Sequence, residues 1–152
     1  MSSDDLSLLL FRQHDVLSRT QALLYLSAAA VRHRLHSGRW QVAHRGVYVA
    51  HAGPLTLAQR RWVAVLGCRA RIGGASALAL HGLRGFDVPE VHLLMAARRR
   101  DADPPMYAVI HRATALPMCD RVEVDHIPCT GPARSAVDAA QWADTDDRAA
   151  AV

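Results

Sequence analysis

Between Val16 and Val49 the chain reads VLSRTQALLYLSAAAVRHRLHSGRWQVAHRGVYV, with basic side chains spaced to hold a polyanion. Arg32, His33, Arg34 and His36 crowd one short segment, Arg39 follows it, and Arg45 stands in a tight turn beyond. Guanidinium and imidazole groups donate to phosphate oxygens or to the acceptor edge of guanine, and small residues such as Ala29 and Ala30 let a helix approach closely. A helix turns about 100° per residue, which puts Val31 and Leu35 on one side. His33 and Ser37 then lie opposite, beside Ala29, Ala30 and His36, with Arg32 and Arg34 at the two borders of that outer face. The chemistry indicated is nucleic-acid contact, not bond making.

Blander roles compete for several of these residues. Arg32 can lay its stem over apolar surface instead of reaching outward. His33 and His36 share a helix face and amount to half a metal site, but no further ligand stands nearby in the H-E-x-x-H or C-x-x-C style. Trp40 suits packing of a ribbon onto the core better than base stacking, and Tyr48 reads as core. The face as a unit is the stronger signal.

The elements that must position these groups are legible. Asp4 or Asp5 caps a first helix to about Gln13, with Leu6, Leu9 and Leu10 on one face, and His14-Asp15 ends it. Val16-Leu17 is a short extended link. Ser18-Arg19-Thr20-Gln21 fits a capping box opening a second helix, with Ala22, Leu23 and Leu26 as its apolar side. Ser27 caps a third helix that runs to about Ser37 and stops at Gly38. Trp40–Ala43 and Val47–Ala50 form a two-strand ribbon through His44-Arg45-Gly46, where Gly46 can take a positive φ. Two helices, a tight turn and a ribbon in this order predict a winged helix-turn-helix over residues 1–53.

His51-Ala52-Gly53-Pro54 is a linker, and Thr56-Leu57-Ala58-Gln59 is a second capping box for a helix to about Cys68, with Trp62, Val65 and Leu66 inward. Arg71–Gly73 is extended, Ser76–His81 is a short helix, and Val91–Met95, Met106–His111 and Val122–Ile127 are strands. Arg98–Pro105 is an exposed loop. Gly131-Pro132 precedes a helix to about Ala143, with Ala133, Val137 and Ala140 at helical spacing. The expected class is α+β: the winged helix, then a small mixed α/β domain at 54–152 with about three to four strands. Asp144 begins a last helix and the chain stops eight residues later; so short a helix has almost no autonomous stability, and either docks on a partner or marks the loss of a longer C-terminal part.

Composition excludes several functions. All 18 basic residues are arginine. Without lysine there can be no P-loop, no Schiff base and no PD-(D/E)xK nuclease site. Gly73-Gly74-Ala75-Ser76 has the glycines of a phosphate loop but neither its lysine nor its spacing. Ser76, His81 and Asp87 lack a nucleophile elbow. Asp120, Glu123 and Asp125 form an acidic cluster, Glu123 and Asp125 on one strand face, and suit an exposed sheet better than a divalent metal. Arg98-Arg99-Arg100 is a second phosphate or RNA contact or a solvated loop. Cys68, Cys119 and Cys129 lack C-x-x-C spacing and suit reduced thiols. No catalytic residue, metal or cofactor is expected.

Charge is uneven along the chain. Residues 1–53 hold six Arg against three Asp (+3), 54–100 hold eight Arg against two acids (+6), and 101–152 hold four Arg against nine acids (−5). A basic front and an acidic back suit a molecule that lays one end on a polyanion. No apolar run is long enough to span a membrane, and the acidic start does not resemble a secretory signal, so a cytoplasmic location is expected.

HDVLSRTQALLYLSAAAVRHRLHSGRWQVAHRGVYVAHAG resembles the N-terminal domain of AbiEi-type antitoxins, and the likeness continues through GGASALALHGLRGF, VHLLM, VIHRAT and IPCTGPARSAVDAAQWA. The resemblance implies a bacterial transcriptional regulator of a type IV toxin–antitoxin system. Its winged helix would bind double-stranded DNA at inverted repeats in its own promoter, and its α+β domain would carry antitoxin activity. The paired toxin is a nucleotidyltransferase that need not be touched directly. Carried across by position, the resemblance places DNA contact on Arg32, His33, Arg34, His36, Arg39 and Arg45, with Arg19 at the start of the preceding helix added to them. Longer relatives with this front half continue into a restriction-endonuclease-like domain with its own lysine. The alternative expectation is accordingly a non-catalytic remnant of such a protein, acting as a protein or RNA interaction module.

Overall fold

The structure, a computed structural model, describes residues 3–100 and 102–143. Over these described residues it is mixed α+β, with six α-helices and two sheets, of three and five strands. The chain divides into two compact units, Met1–Gly67 and Cys68–Val152. The proposed further helix from Asp144 lies outside the described residues. Among the described residues no helix is long and apolar enough to cross a membrane.

The first unit runs α1 (Ser3–Arg12), β1 (Val16–Ser18), α2 (Arg19–Tyr25), α3 (Ala28–His36), β2 (Gln41–His44), β3 (Val47–Val49) and α4 (Leu57–Cys68), whose last residue crosses the boundary. Helix α1 stops where His14 and Asp15 both turn left-handed, with φ of 52° and 65°. Asp15 N–H then bonds back to the Leu10 carbonyl at 2.7 Å, which satisfies an acceptor the helix end would otherwise leave open. The predicted link at Val16-Leu17 is a strand. It pairs antiparallel with β3, so the ribbon is one part of a three-stranded sheet ordered β1-β3-β2. Val16, Leu17 and the whole of β3 are buried, and that burial is what recruits the link into the sheet.

Both capping boxes form. Ser18 Oγ accepts from Gln21 N–H at 3.1 Å, and the Gln21 side chain accepts from Ser18 N–H at 2.9 Å. Thr56 and Gln59 do the same at 3.2 and 3.0 Å. Each cap contributes about 1 kcal/mol to helices too short to stand alone. Leu17, Ala22, Val31, Trp40 and Tyr48 form the core beneath them, with Leu6, Leu10, Leu26 and Leu35 packed against it.

Helix α4 falls with the first compact unit, which ends at Gly67. Two contacts explain this. Gln59 Nε2 donates to the His14 carbonyl at 3.0 Å, and Gly67 lies so near His44 that a Cβ there would be 2.7 Å from the imidazole. Trp62, Val63, Ala64 and Val65 are all buried, so α4 hides most of its circumference and not the single face expected.

The second unit contains β4 (Arg71–Ile72), α5 (Gly74–Leu80), β5 (Val91–Ala96), β6 (Ala108–Ala113), β7 (Arg121–Val124), β8 (Ile127–Thr130) and α6 (Pro132–Gln141). Its sheet is ordered β6-β5-β4-β8-β7, with β5–β6 and β4–β8 parallel and the other neighbours antiparallel. Five strands replace the expected three to four. The segment read as one strand, Val122–Ile127, is a hairpin: Asp125 and His126 both adopt positive φ, 48° and 68°, and Val124 pairs with Ile127 across them. That is the backbone of a type I′ turn. Its usual glycine is missing, which is why the turn was invisible in the sequence.

Helix α6 corrects a second expectation. Ser135, Asp138 and Ala139 are its buried residues, while Val137 is 55% exposed. Polar groups face inward because they are satisfied there. Ser135 Oγ lies 2.7 Å from Thr130 Oγ1 and donates to the Gly131 carbonyl at 2.7 Å, and the Asp138 carboxylate accepts from Arg134 Nε at 2.9 Å. The spacing of Ala133, Val137 and Ala140 carries no such information.

Candidate nucleic-acid interface

Helix α3 is placed by its ends. Ser27 Oγ accepts from Ala30 N–H at 3.1 Å, and Gly38 takes a φ of 72° just past the helix. The Arg34 carbonyl then accepts both Trp40 N–H at 3.0 Å and Ser37 Oγ at 3.2 Å, fixing the exit towards β2. Val31 and Leu35 enter the core, so the orientation of the helix about its axis follows from two side chains. Arg32, His33, His36 and Ser37 are exposed, as is Ala29, and Ala30 is half-buried.

Arg34 behaves differently. Its guanidinium carbon sits 5.6 Å from the Trp40 ring centroid, and its Nη1 donates to the Ala30 carbonyl at 3.2 Å. The stem-over-apolar role weighed for Arg32 therefore belongs to Arg34. Trp40 is 7% and Tyr48 8% exposed, with rings 6.4 Å apart, so both serve the core. Arg34 in effect closes that core on its solvent side.

Arg45 and Gly46 make the two-residue loop between β2 and β3, with Gly46 at φ 70° and Ala43 the extra residue in a register shift between Val42 and His44. Arg19 N–H donates to the Gly46 carbonyl at 2.8 Å. This bond brings the start of α2 to the hairpin tip, so exposed Arg19 stands with Arg45 and not with the α3 group. Arg39, also exposed, follows the end of α3. None of Arg19, Arg32, Arg39 and Arg45 has an ion-pair partner among the described residues. The sequence explains this: no carboxylate side chain occurs between Asp15 and Asp87. Cations without counter-charges give a field that favours an anionic partner and loses strength with salt.

One positioning residue escaped the sequence. Gln13, 6% exposed, exchanges amide hydrogen bonds with Gln21 at 2.8 and 3.2 Å and donates to the Val16 carbonyl at 2.8 Å. The α2 cap is thereby tied to the end of α1, and the α2–α3 pair inherits a fixed base. A glutamine just before a helix stop is the only trace this leaves in the sequence.

The other groups singled out do separate work. Ser76 Oγ donates to the Glu90 carbonyl at 3.2 Å and accepts from His92 N–H at 2.9 Å, while His81 Nε2 lies 2.8 Å from the Thr130 carbonyl. Asp120 approaches Arg134 at 3.7 Å, Glu123 is exposed on β7, and Asp125 stands in the turn and not on the strand. The three acids therefore form no cluster, and no group of three or more metal-ligating side chains occurs among the described residues. Arg98 and Arg100 are exposed, whereas Arg99 donates to the Arg69 carbonyl. No protein-family model and no curated protein matches the chain.

Proposed function

We propose that this chain is a DNA-binding transcriptional regulator and antitoxin of the AbiEi kind, autoregulating by binding an operator upstream of its own gene. Residues 1–53 act as the winged helix-turn-helix, with α3 as recognition helix and the β2–β3 hairpin as wing. The order α1-β1-α2-α3-β2-β3 and the sheet order β1-β3-β2 support that reading. The observation that carries it is the exposed face of α3: Arg32, His33 and His36 stand out from a segment with no acidic neighbour in sequence. Arg32, His33 and His36 read the groove, while Arg39 and the Arg19–Arg45 pair hold phosphates on either side. Arg34 acts mainly through Trp40 and contributes less to the DNA than its position suggests.

The antitoxin half rests on the resemblance in sequence, in which the toxin is a nucleotidyltransferase acting without obligatory contact. A cytoplasmic location follows from both roles. The first measurement is titration of the protein against duplex from upstream of its own gene at several salt concentrations. Preference for that duplex is expected, with log K falling against log salt by about 0.9 for each phosphate held. Equal affinity for random duplex ends the operator reading. Rescue of growth on co-expression with a neighbouring nucleotidyltransferase gene tests the antitoxin half separately.

A further inference from the structure

Just beyond α6, Trp142 lies on rings that the interface does not use. Its indole is parallel to the His111 imidazole, with centroids 3.6 Å apart and planes 3° from parallel. His111 stands on β6 beside β5, where His92 Nδ1 lies 2.9 Å from His111 Nε2. Strand register places Leu94 opposite His111, and alternation puts His92, Leu94 and His111 on one sheet face. The indole also lies against bare backbone: a Cβ at Gly74 would come 2.6 Å from it, and one at Gly73 3.2 Å. Gly74, at φ 54°, is thus the floor of an aromatic stack and not part of a phosphate loop.

Two facing imidazole nitrogens at hydrogen-bond distance need one hydrogen and one lone pair between them. The pair meets this when both rings are neutral and also when one is cationic. When both are cationic each facing nitrogen carries a hydrogen, and attraction becomes repulsion. We propose that His92 and His111 form an acid-operated clasp that holds Trp142, and with it the end of α6, on the sheet until the second proton binds.

The surroundings agree. His111 is held down to about 4, first by burial and then by the charge of His92. Among the described residues, His92 is the one charge that shifts His111. On β6, Arg112 points to the opposite face by alternation. On β4, Arg71 shares the cross-strand row through Leu94 but donates to the Val122 carbonyl at 3.2 Å. Glu90, before β5, is exposed, and α5 (GASALAL) has no ionisable side chain. On α6, Asp138 is engaged by Arg134. The body of α6 stays fixed through Ser135 and Asp138, so release is confined to the turn at Trp142. The clasp stands whether or not the first unit binds DNA.

Proton NMR of the full chain from pH 7 to pH 3.5 tests it. The His111 Cε1–H and Trp142 indole N–H resonances are expected to move together with a midpoint near pH 4, while residues 132–139 stay unchanged. In His111→Phe, which keeps a ring but not the titration, Trp142 is expected to stay in place down to the lowest pH. His92→Asn removes the repelling charge, so His111 should titrate at least half a pH unit higher while Trp142 stays in place, because the double cation can no longer form. The clasp is overturned by a Trp142 that, in the wild-type chain, does not respond when His111 titrates. It is equally overturned by loss of all native resonances at that pH. Should His111→Phe not fold, release of Trp142 in His92→Asn at the wild-type pH overturns the clasp as well.

Discussion

Arg32 and Arg34 are neighbours in composition and border the same helix face, yet their environments assign them different work. Arg32 is exposed without an ion-pair partner among the described residues, whereas Arg34 spends its guanidinium on Trp40 and on the Ala30 carbonyl. Arg32→Ala should weaken operator binding by about 1–3 kcal/mol and reduce the salt slope by about one phosphate. Arg34→Ala should instead lower folding stability by about 0.5–1 kcal/mol, the worth of an exposed cation–π contact, with a smaller change in binding. Anisotropy titration and urea denaturation separate the two. Equal binding losses, or a loss in a Gln141→Ala control, would show the DNA surface to be misassigned. A helical projection tells which way a Cβ leaves the helix. It cannot tell that a long side chain then bends back onto an aromatic from the following strand.

Elements differ in how fully their local sequence specifies them. Capping boxes at Ser18 and Thr56 were legible because donor, acceptor and spacing all lie within four residues. The α6 face was not, because its inward side is chosen by partners remote in sequence, Thr130 and the Arg134–Asp138 pair among them. Gly46 and Gly74 show the same contrast. Both adopt left-handed φ, 70° and 54°, but a Cβ at Gly46 meets nothing within 4 Å, while one at Gly74 collides with Trp142. Gly46→Ala should cost about 1–2 kcal/mol from backbone strain alone. Gly74→Ala should cost more and shift the Trp142 indole resonance, since ring and methyl cannot share the space. Equal stability losses with an unmoved indole would contradict the packing at Gly74.

At the scale of the molecule, burial decides which groups meet solvent. Cys68 and Cys129 are 1% and 0% exposed, and Cys119 is exposed. Burial raises the Cys68 thiol and lifts Cys129 to about 11, so neither offers thiolate at neutral pH. One thiol of the three should react promptly with a disulfide reagent in the native protein, and the other two only on unfolding. Prompt reaction of a second would mean a looser core. His111 sets an acid window of the same sign as a paired carboxylate but placed higher in pH. Its folded value lies below the ordinary 6.5, so the unfolded chain takes up the proton first. That contribution to stability is complete above pH 6.5, declines as pH falls towards 4 and levels off below. His111→Phe should flatten that part of a pH–stability profile.

The sequence by itself determined which segments become helices in the first unit, where their caps stand, and that the chain from Val16 to Phe86 presents cations without carboxylates. These are local or compositional facts, settled by hydrogen bonds within a turn of helix or by simple presence and absence. Only the tertiary structure decided that β1 completes the first sheet, that α4 belongs with it, and that Asp125-His126 turns a strand into a hairpin. It also decided that Arg34 closes over Trp40 and that two histidines on neighbouring strands meet beneath Trp142. Each of these depends on residues distant in the chain arriving within hydrogen-bond or van der Waals range. The energy that selects them exists only after the core has brought them together.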